Sequence, residues 1–109
     1  MTTAVLCGPD EEALGAALQA EGIEVSRVDG VATGSSLEAA GVGDADLLVL
    51  TDLADATAVP IARDRNDDLR TVVYADGGLP EFLGASEVLK MDPQLLGPDA
   101  VAEELAARS

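Results

Sequence analysis

Residues 46–51 read Asp-Leu-Leu-Val-Leu-Thr (DLLVLT), four apolar side chains in a row between polar ends. An unbroken apolar run this short marks a strand buried on both faces, the habit of parallel sheets. Outward from it, Thr3–Cys7 (TAVLC) and Thr71–Ala75 (TVVYA) read the same way. Ile23–Val28 (IEVSRV) alternates with period two, and Ser86–Leu89 (SEVL) gives a fifth strand. Helical signals fill the gaps. Gly8-Pro9-Asp10-Glu11-Glu12 predicts a helix start, with Pro9 in the first helical position and three acids in the first turn. Ala13, Leu14, Ala17 and Leu18 give it an apolar stripe, and Gly22 ends it just past the C-cap. Ser35 and Glu38 fit a capping box for a short helix stopped at Gly41. Asp52 caps a helix reaching about Arg65, in which Pro60 predicts a kink or a late start. Asp76-Gly77-Gly78 is a turn, Pro80–Leu83 one helical turn, and Asp92-Pro93 a further turn. Gly97-Pro98-Asp99 opens the last helix, with Val101 and Leu105 on its inner face.

Strand and helix alternate throughout, with no linker and no repeat. The pattern predicts an α/β fold: a small doubly wound sheet of about five parallel strands, Rossmann-like, with helices on both faces. Residues 1–109 form a single domain on this reading.

Composition removes whole classes of function. The net charge is −15, which opposes nucleic acid and anionic lipid, so neither a nucleic-acid nor a membrane partner is expected. No apolar run nears the ~20 residues of a membrane span, and no basic-then-apolar leader is seen, so a cytoplasmic location is expected. There is no His and no Trp, and the aromatic residues are Tyr74 and Phe82. Histidine acid–base chemistry, histidine-ligated metals and aromatic stacking platforms are therefore excluded within this chain. The single Cys7 can form no internal disulfide and no zinc site. Five of the six basic residues are Arg and one, Lys90, is Lys. A chain rich in Asp, Glu, Ala, Gly and Val and nearly free of Lys resembles the proteins of salt-loving archaea.

The later two-thirds resembles the TrkA-N or RCK family, the nucleotide-binding domains of potassium-channel and potassium-uptake regulators. The matching pieces are GVATGSSLEAAGVGDADLLVLTD (Gly30–Asp52), RNDDLR (Arg65–Arg70) leading into TVVYA, and GASEV (Gly84–Val88) leading into DPQLLGPDAVAEEL. Order and spacing agree over about 80 residues. The resemblance implies a Rossmann-type regulatory or ligand-sensing module that commonly pairs, so a homodimer or a larger regulatory complex is expected. The final helix and the helix after Asp52 are the expected pairing surfaces. The first turn departs from the family. Of its Gly-x-Gly-x-x-Gly pattern only Gly8 survives, and Asp10, Glu11 and Glu12 put negative charge where a pyrophosphate would sit. Neither NAD nor ATP is therefore expected as a cofactor. Asp29 has the spacing of a ribose-binding acid; it also reads as a turn-former before Gly30, which is the preferred reading.

The parallel topology gathers Gly8, Asp29, Thr51, Asp52 and Asp76 at one edge, the expected ligand edge. With so much negative charge there, a cationic or hydroxyl-rich neutral ligand is expected. Asp29, Asp52, Asp76 and Asp92 also read as helix caps and turn-formers, and no metal site is expected; Asp52 and Asp76 are its weak candidates. Cys7 reads as a buried small apolar residue rather than a nucleophile. No catalytic residue is identified.

Two further readings stay open. Lys90 at the end of the last strand, Asp52 after the third and Asp10/Glu11 after the first loosely resemble a response-regulator receiver domain. There such acids hold Mg²⁺ and the Asp after the third strand, here Asp52, accepts phosphate; Ala75-Asp76 stand where that family has a hydroxyl. The enzyme reading is a nucleotide-related enzyme or enzyme subunit of the kind named CTP synthetase. For it the chain offers no Cys-His pair and no Gly-x-x-x-x-Gly-Lys-Ser/Thr loop.

The acidity yields a prediction. At about 1 M salt the Debye length is roughly 3 Å, which screens carboxylate repulsion that dilute buffer leaves intact. Dialysis from molar KCl to low salt should lose helical ellipticity and lower the melting temperature. An unchanged melt would show that the charge is no burden on the fold.

Overall fold

A computed structural model describes residues 2–10, 12–28, 32–76 and 88–108. Five strands, β1 (Thr3–Cys7), β2 (Glu24–Arg27), β3 (Leu47–Leu50), β4 (Arg70–Tyr74) and β5 (Val88–Met91), form one sheet in the order β2-β1-β3-β4-β5. Every pairing is parallel. Among the described residues four α-helices accompany them: α1 (Leu14–Ala20), α2 (Gly34–Ala39), α3 (Ala58–Arg65) and α4 (Pro98–Arg108). The expected α/β architecture is present, with helices on both faces.

The central strand is β3, and all four of its residues are buried. Leu48 and Leu50 face one core layer with Leu37 of α2 and Ala58, Val59 and Ala62 of α3. Leu47 and Val49 face the other, with Leu14 and Leu18 of α1 and Val101, Ala102 and Leu105 of α4. The apolar stripes of α3 and α4 thus pack against the sheet.

Several boundaries differ from expectation for identifiable reasons. Helix α1 begins at Leu14, not at Pro9, because Asp10 reaches forward to cap it: its carboxylate accepts from the N–H of Leu14 at 2.7 Å and of Gly15 at 3.0 Å. No acid stands in the helix's first turn. The capping box lies two residues upstream of Ser35/Glu38. Thr33 accepts from the Ser36 N–H, and the Ser36 hydroxyl accepts from the Thr33 N–H. Asp52 caps a 3-10 turn over Leu53–Asp55, and the α-helix starts only at Ala58. Pro60 then falls in the first turn, where its missing N–H has no partner to lose, and the helix runs on to Arg65. Lys90 does not end the last strand; it pairs with Val73, and Met91 follows opposite Tyr74. The expected helical turn at Pro80–Leu83 lies outside the described residues, as do Ser86 and Glu87 of the fifth strand's expected span.

Asn66, just past α3, fastens the approach to β3. Its side-chain amide donates to the carbonyls of Val42 (3.0 Å) and Ala45 (2.9 Å), and its own carbonyl accepts from the Asp68 N–H. Val42 and Ala45 are buried, so Asn66→Ala removes the amide from the Ala45 carbonyl and leaves the Val42 carbonyl with the Ala45 N–H at 3.3 Å. We expect a loss of about 2 kcal/mol, read as a lower denaturant midpoint at unchanged slope. A loss too small to resolve would mean that water replaces the amide there.

Candidate functional site

Parallel strands send all their following loops to one edge, and here α1 and α3 leave it on opposite faces of the sheet. A crevice should therefore open between the loops after β1 and β3. It is closed. Thr51, the first residue after β3, turns its hydroxyl across to β1 and donates toward the backbone carbonyls of Cys7 (3.2 Å) and Pro9. Gly8 makes the approach feasible. Its φ is +100°, and a Cβ there would meet Thr51 Oγ1 at 2.6 Å and the Asp52 nitrogen at 3.2 Å. Gly8 thus leaves room for the Thr51 side chain.

The seat of a phosphate is filled as well. Asp10 occupies the N-terminus of α1 with its own carboxylate, and Arg27 from β2 lies 3.0 Å from it. The Asp10 side chain is 13% exposed. An anion arriving there would have to displace an ion pair and two backbone hydrogen bonds.

What remains open is a cleft of about 190 Å³, reaching toward the loops after β4 and β5 and lined by Asp10, Glu12, Thr51, Tyr74, Asp76 and Pro93 among others. Of the five residues expected at the edge, Thr51 and Asp76 line it, and Gly8 sits behind Thr51. Asp52 does not line it; its carboxylate accepts from the Ala54 N–H at 2.9 Å. Beside Asp52, the Asp55 carboxyl is pushed above its ordinary range, by burial first and then by the Asp52 charge. Asp29, like Glu11, lies outside the described residues. Lys90 is absent from the lining. Side chains alternate along β5, so Lys90 shares the sheet face of Val88, which packs with α2 and α3, while Tyr74 faces the other layer. Among the described residues no three His, Cys, Asp or Glu side chains converge on a point where a metal could sit.

Reading the sequence missed Glu12, Tyr74 and Pro93 as cleft residues. The Tyr74 hydroxyl donates to the Leu96 carbonyl at 2.8 Å. Its pKa is raised by burial, then by the charges of Glu12 and Asp92. The one available signal was a tyrosine at the end of a buried strand, a residue that seeks a polar partner for its hydroxyl.

A family model matches residues 4–105. The chain belongs to DUF7126, a family of unknown function. No match is found among curated proteins. Among solved structures, the DUF7126 chain is similar to an orphan response regulator of H. pylori, with TM-score 0.69 and 16% identity over 97% of this chain and 95% of that one. It is similar also to a protein assigned to pilus assembly (CpaE) from Burkholderia thailandensis, with TM-score 0.61, 20% identity and full coverage of both chains. At these identities the likeness is one of fold. No helix among the described residues is long and apolar enough to cross a membrane.

Cys7 closes the floor of the edge. Burial, and then the Asp55 charge, push its thiol from about 9 up to about 12. A thiol whose folded pKa is raised holds its proton while the unfolded one ionises. Its contribution to stability is therefore complete below about pH 9 and lost as pH climbs toward 12. The melting temperature should fall between pH 8 and 10.5, and Cys7→Ala should flatten part of that fall. Iodoacetamide at pH 8 should leave the native thiol untouched; rapid alkylation would contradict the burial.

Proposed function

We propose that the DUF7126 chain is a receiver-like regulatory module that works by contact with another protein in a larger regulatory complex, with a strand-end site closed to phosphoryl transfer. The observation that carries this is the pair of internal occupants at the strand ends. The Thr51 hydroxyl fills the β1–β3 crevice, and the Asp10 carboxylate fills the α1 terminus. A dinucleotide reading needs both places empty. A phosphoacceptor reading needs Asp52 in the cleft beside other acids, whereas its carboxylate is turned to Ala54. The likeness in fold to an orphan response regulator, over nearly the whole length of both chains, supports the receiver-like frame over a nucleotide site.

The test is direct. In molar KCl with Mg²⁺ and acetyl phosphate, intact mass should show no phosphoryl adduct, and calorimetry should show no heat with NAD or ATP. A phosphoryl adduct lost in Asp52→Asn would restore the phosphoacceptor reading. Micromolar binding of either nucleotide would restore the sensing one.

A further inference from the structure

The loop between β5 and α4 is tightly built, yet it carries bare apolar surface. Asp92 accepts the Gln94 N–H on its carboxylate at 2.8 Å, and the Leu95 and Leu96 N–H groups on its carbonyl at 3.0 and 2.9 Å. Tyr74 holds the Leu96 carbonyl, and the Gln94 side-chain amide donates to Asp76 at 3.1 Å. None of these bonds uses a leucine side chain. Leu95 is nonetheless 82% exposed and Leu96 40% exposed; they are the large apolar side chains left in solvent among the described residues. A single exposed leucine is unremarkable on a protein surface. Two adjacent ones on a hydrogen-bonded turn, beside a cleft, form a preformed apolar contact left in solvent among the described residues.

The cleft wall shared with this loop, Pro93, continues the surface inward to Tyr74, Glu12 and Asp76. Its described lining contains acids and no basic residue. Its volume, about 190 Å³, falls below the ~300 Å³ at which small-molecule pockets begin, and suits one long side chain.

We propose that Leu95, Leu96 and this cleft form one docking surface for a basic segment of a partner protein. An apolar side chain of the segment covers the leucines, and a neighbouring Arg enters the cleft between Glu12 and Asp76. The inference rests on the contact reading above and names the chemistry of the partner. Charge complementarity selects the occupant. A second copy of this chain brings a net charge of −15 to an acidic surface, which disfavours self-pairing here. Arg suits a site walled by carboxylates, because its planar guanidinium pairs with them in a fixed fork geometry.

The experiment is a heteronuclear NMR titration of the full chain in molar KCl, where long-range attraction is screened and only contact pairing survives. The probes are three unstructured peptides alternating Arg with Leu, Arg with Gly, and Gln with Leu. The Arg–Leu peptide should shift the amides of Thr51, Ala75, Asp76 and Gln94–Leu96, and bind more tightly than the other two. Leu95→Ser should weaken it about tenfold, and Asp76→Asn a few-fold, with amide spectra unchanged elsewhere. Equal binding of all three peptides, or binding untouched by both variants, would overturn the proposal. So would shifts centred on the apolar groove at the opposite edge, lined by Leu47, Leu89 and Leu105, or the same shifts produced by Mg²⁺ alone. Failure here is separable from failure of the contact reading, which falls instead to a phosphoryl adduct or to nucleotide binding.

Discussion

Everything in this fold hangs on the double-sided burial of Leu47–Leu50. A strand with no solvent face can lie only in the middle of a sheet with a layer on each side. β1 and β4 therefore flank it, and α2–α3 and α1–α4 cover it. The layers are built largely from small residues. Ala58 and Ala62 on one side and Ala17 and Ala102 on the other bring helix backbones close to the sheet. Each buries little area, so the core depends on the leucines of β3 and their neighbours for most of its apolar contact.

That same constraint fixes where function can lie. With β3 central and parallel, its exit meets the exit of β1, and the chain must do something with the crevice between them. The strand order does not say what. The dinucleotide fold runs 3-2-1-4-5-6, and deleting its third strand leaves the spatial order seen here, which is also that of the flavodoxin-like and receiver-like sheets. Thr51 in the crevice and Asp10 on the α1 terminus convert a ligand edge into internal structure, and the open space reaches toward Tyr74 and Asp76.

The strands were legible because their signal is apolar and local: the first was read to its exact ends, and the third and fourth to within a residue. Helix starts were less so, because a cap is a contest between nearby acceptors. Asp10, Glu11 and Glu12 all read as first-turn acids, but only the structure shows Asp10 reaching four and five residues ahead to Leu14 and Gly15. Ser35/Glu38 and Thr33/Ser36 are both plausible boxes three residues apart, and nothing in sequence ranks them. The site was half legible for the same reason. Topology placed Thr51 and Asp76 at the edge, but whether an acid faces the cleft or its own backbone is a rotamer question, and Asp52 answered it inward.

The acids themselves divide into two populations with different physics. Asp10, Asp46, Asp52 and Asp92 each accept a backbone N–H, and so define where α1, β1, the turn after β3 and the turn after β5 begin or end. Glu21, Asp44, Asp64, Asp67, Asp68, Glu103 and Glu104 stand exposed on helix and loop surfaces, and Glu24 on the edge strand β2. Salt screens the mutual repulsion of the second group, which is separated by solvent, far more than it weakens hydrogen bonds at contact distance in the first. High salt therefore relieves the cost of the acidity without dissolving its structural use. The exposed carboxylates at the cleft, Glu12 and Asp76, lie between these groups: they face a shared space, and among the described residues Asp76 holds the Gln94 amide. Charge that neither shapes the backbone nor disperses into solvent is the charge a basic partner can meet.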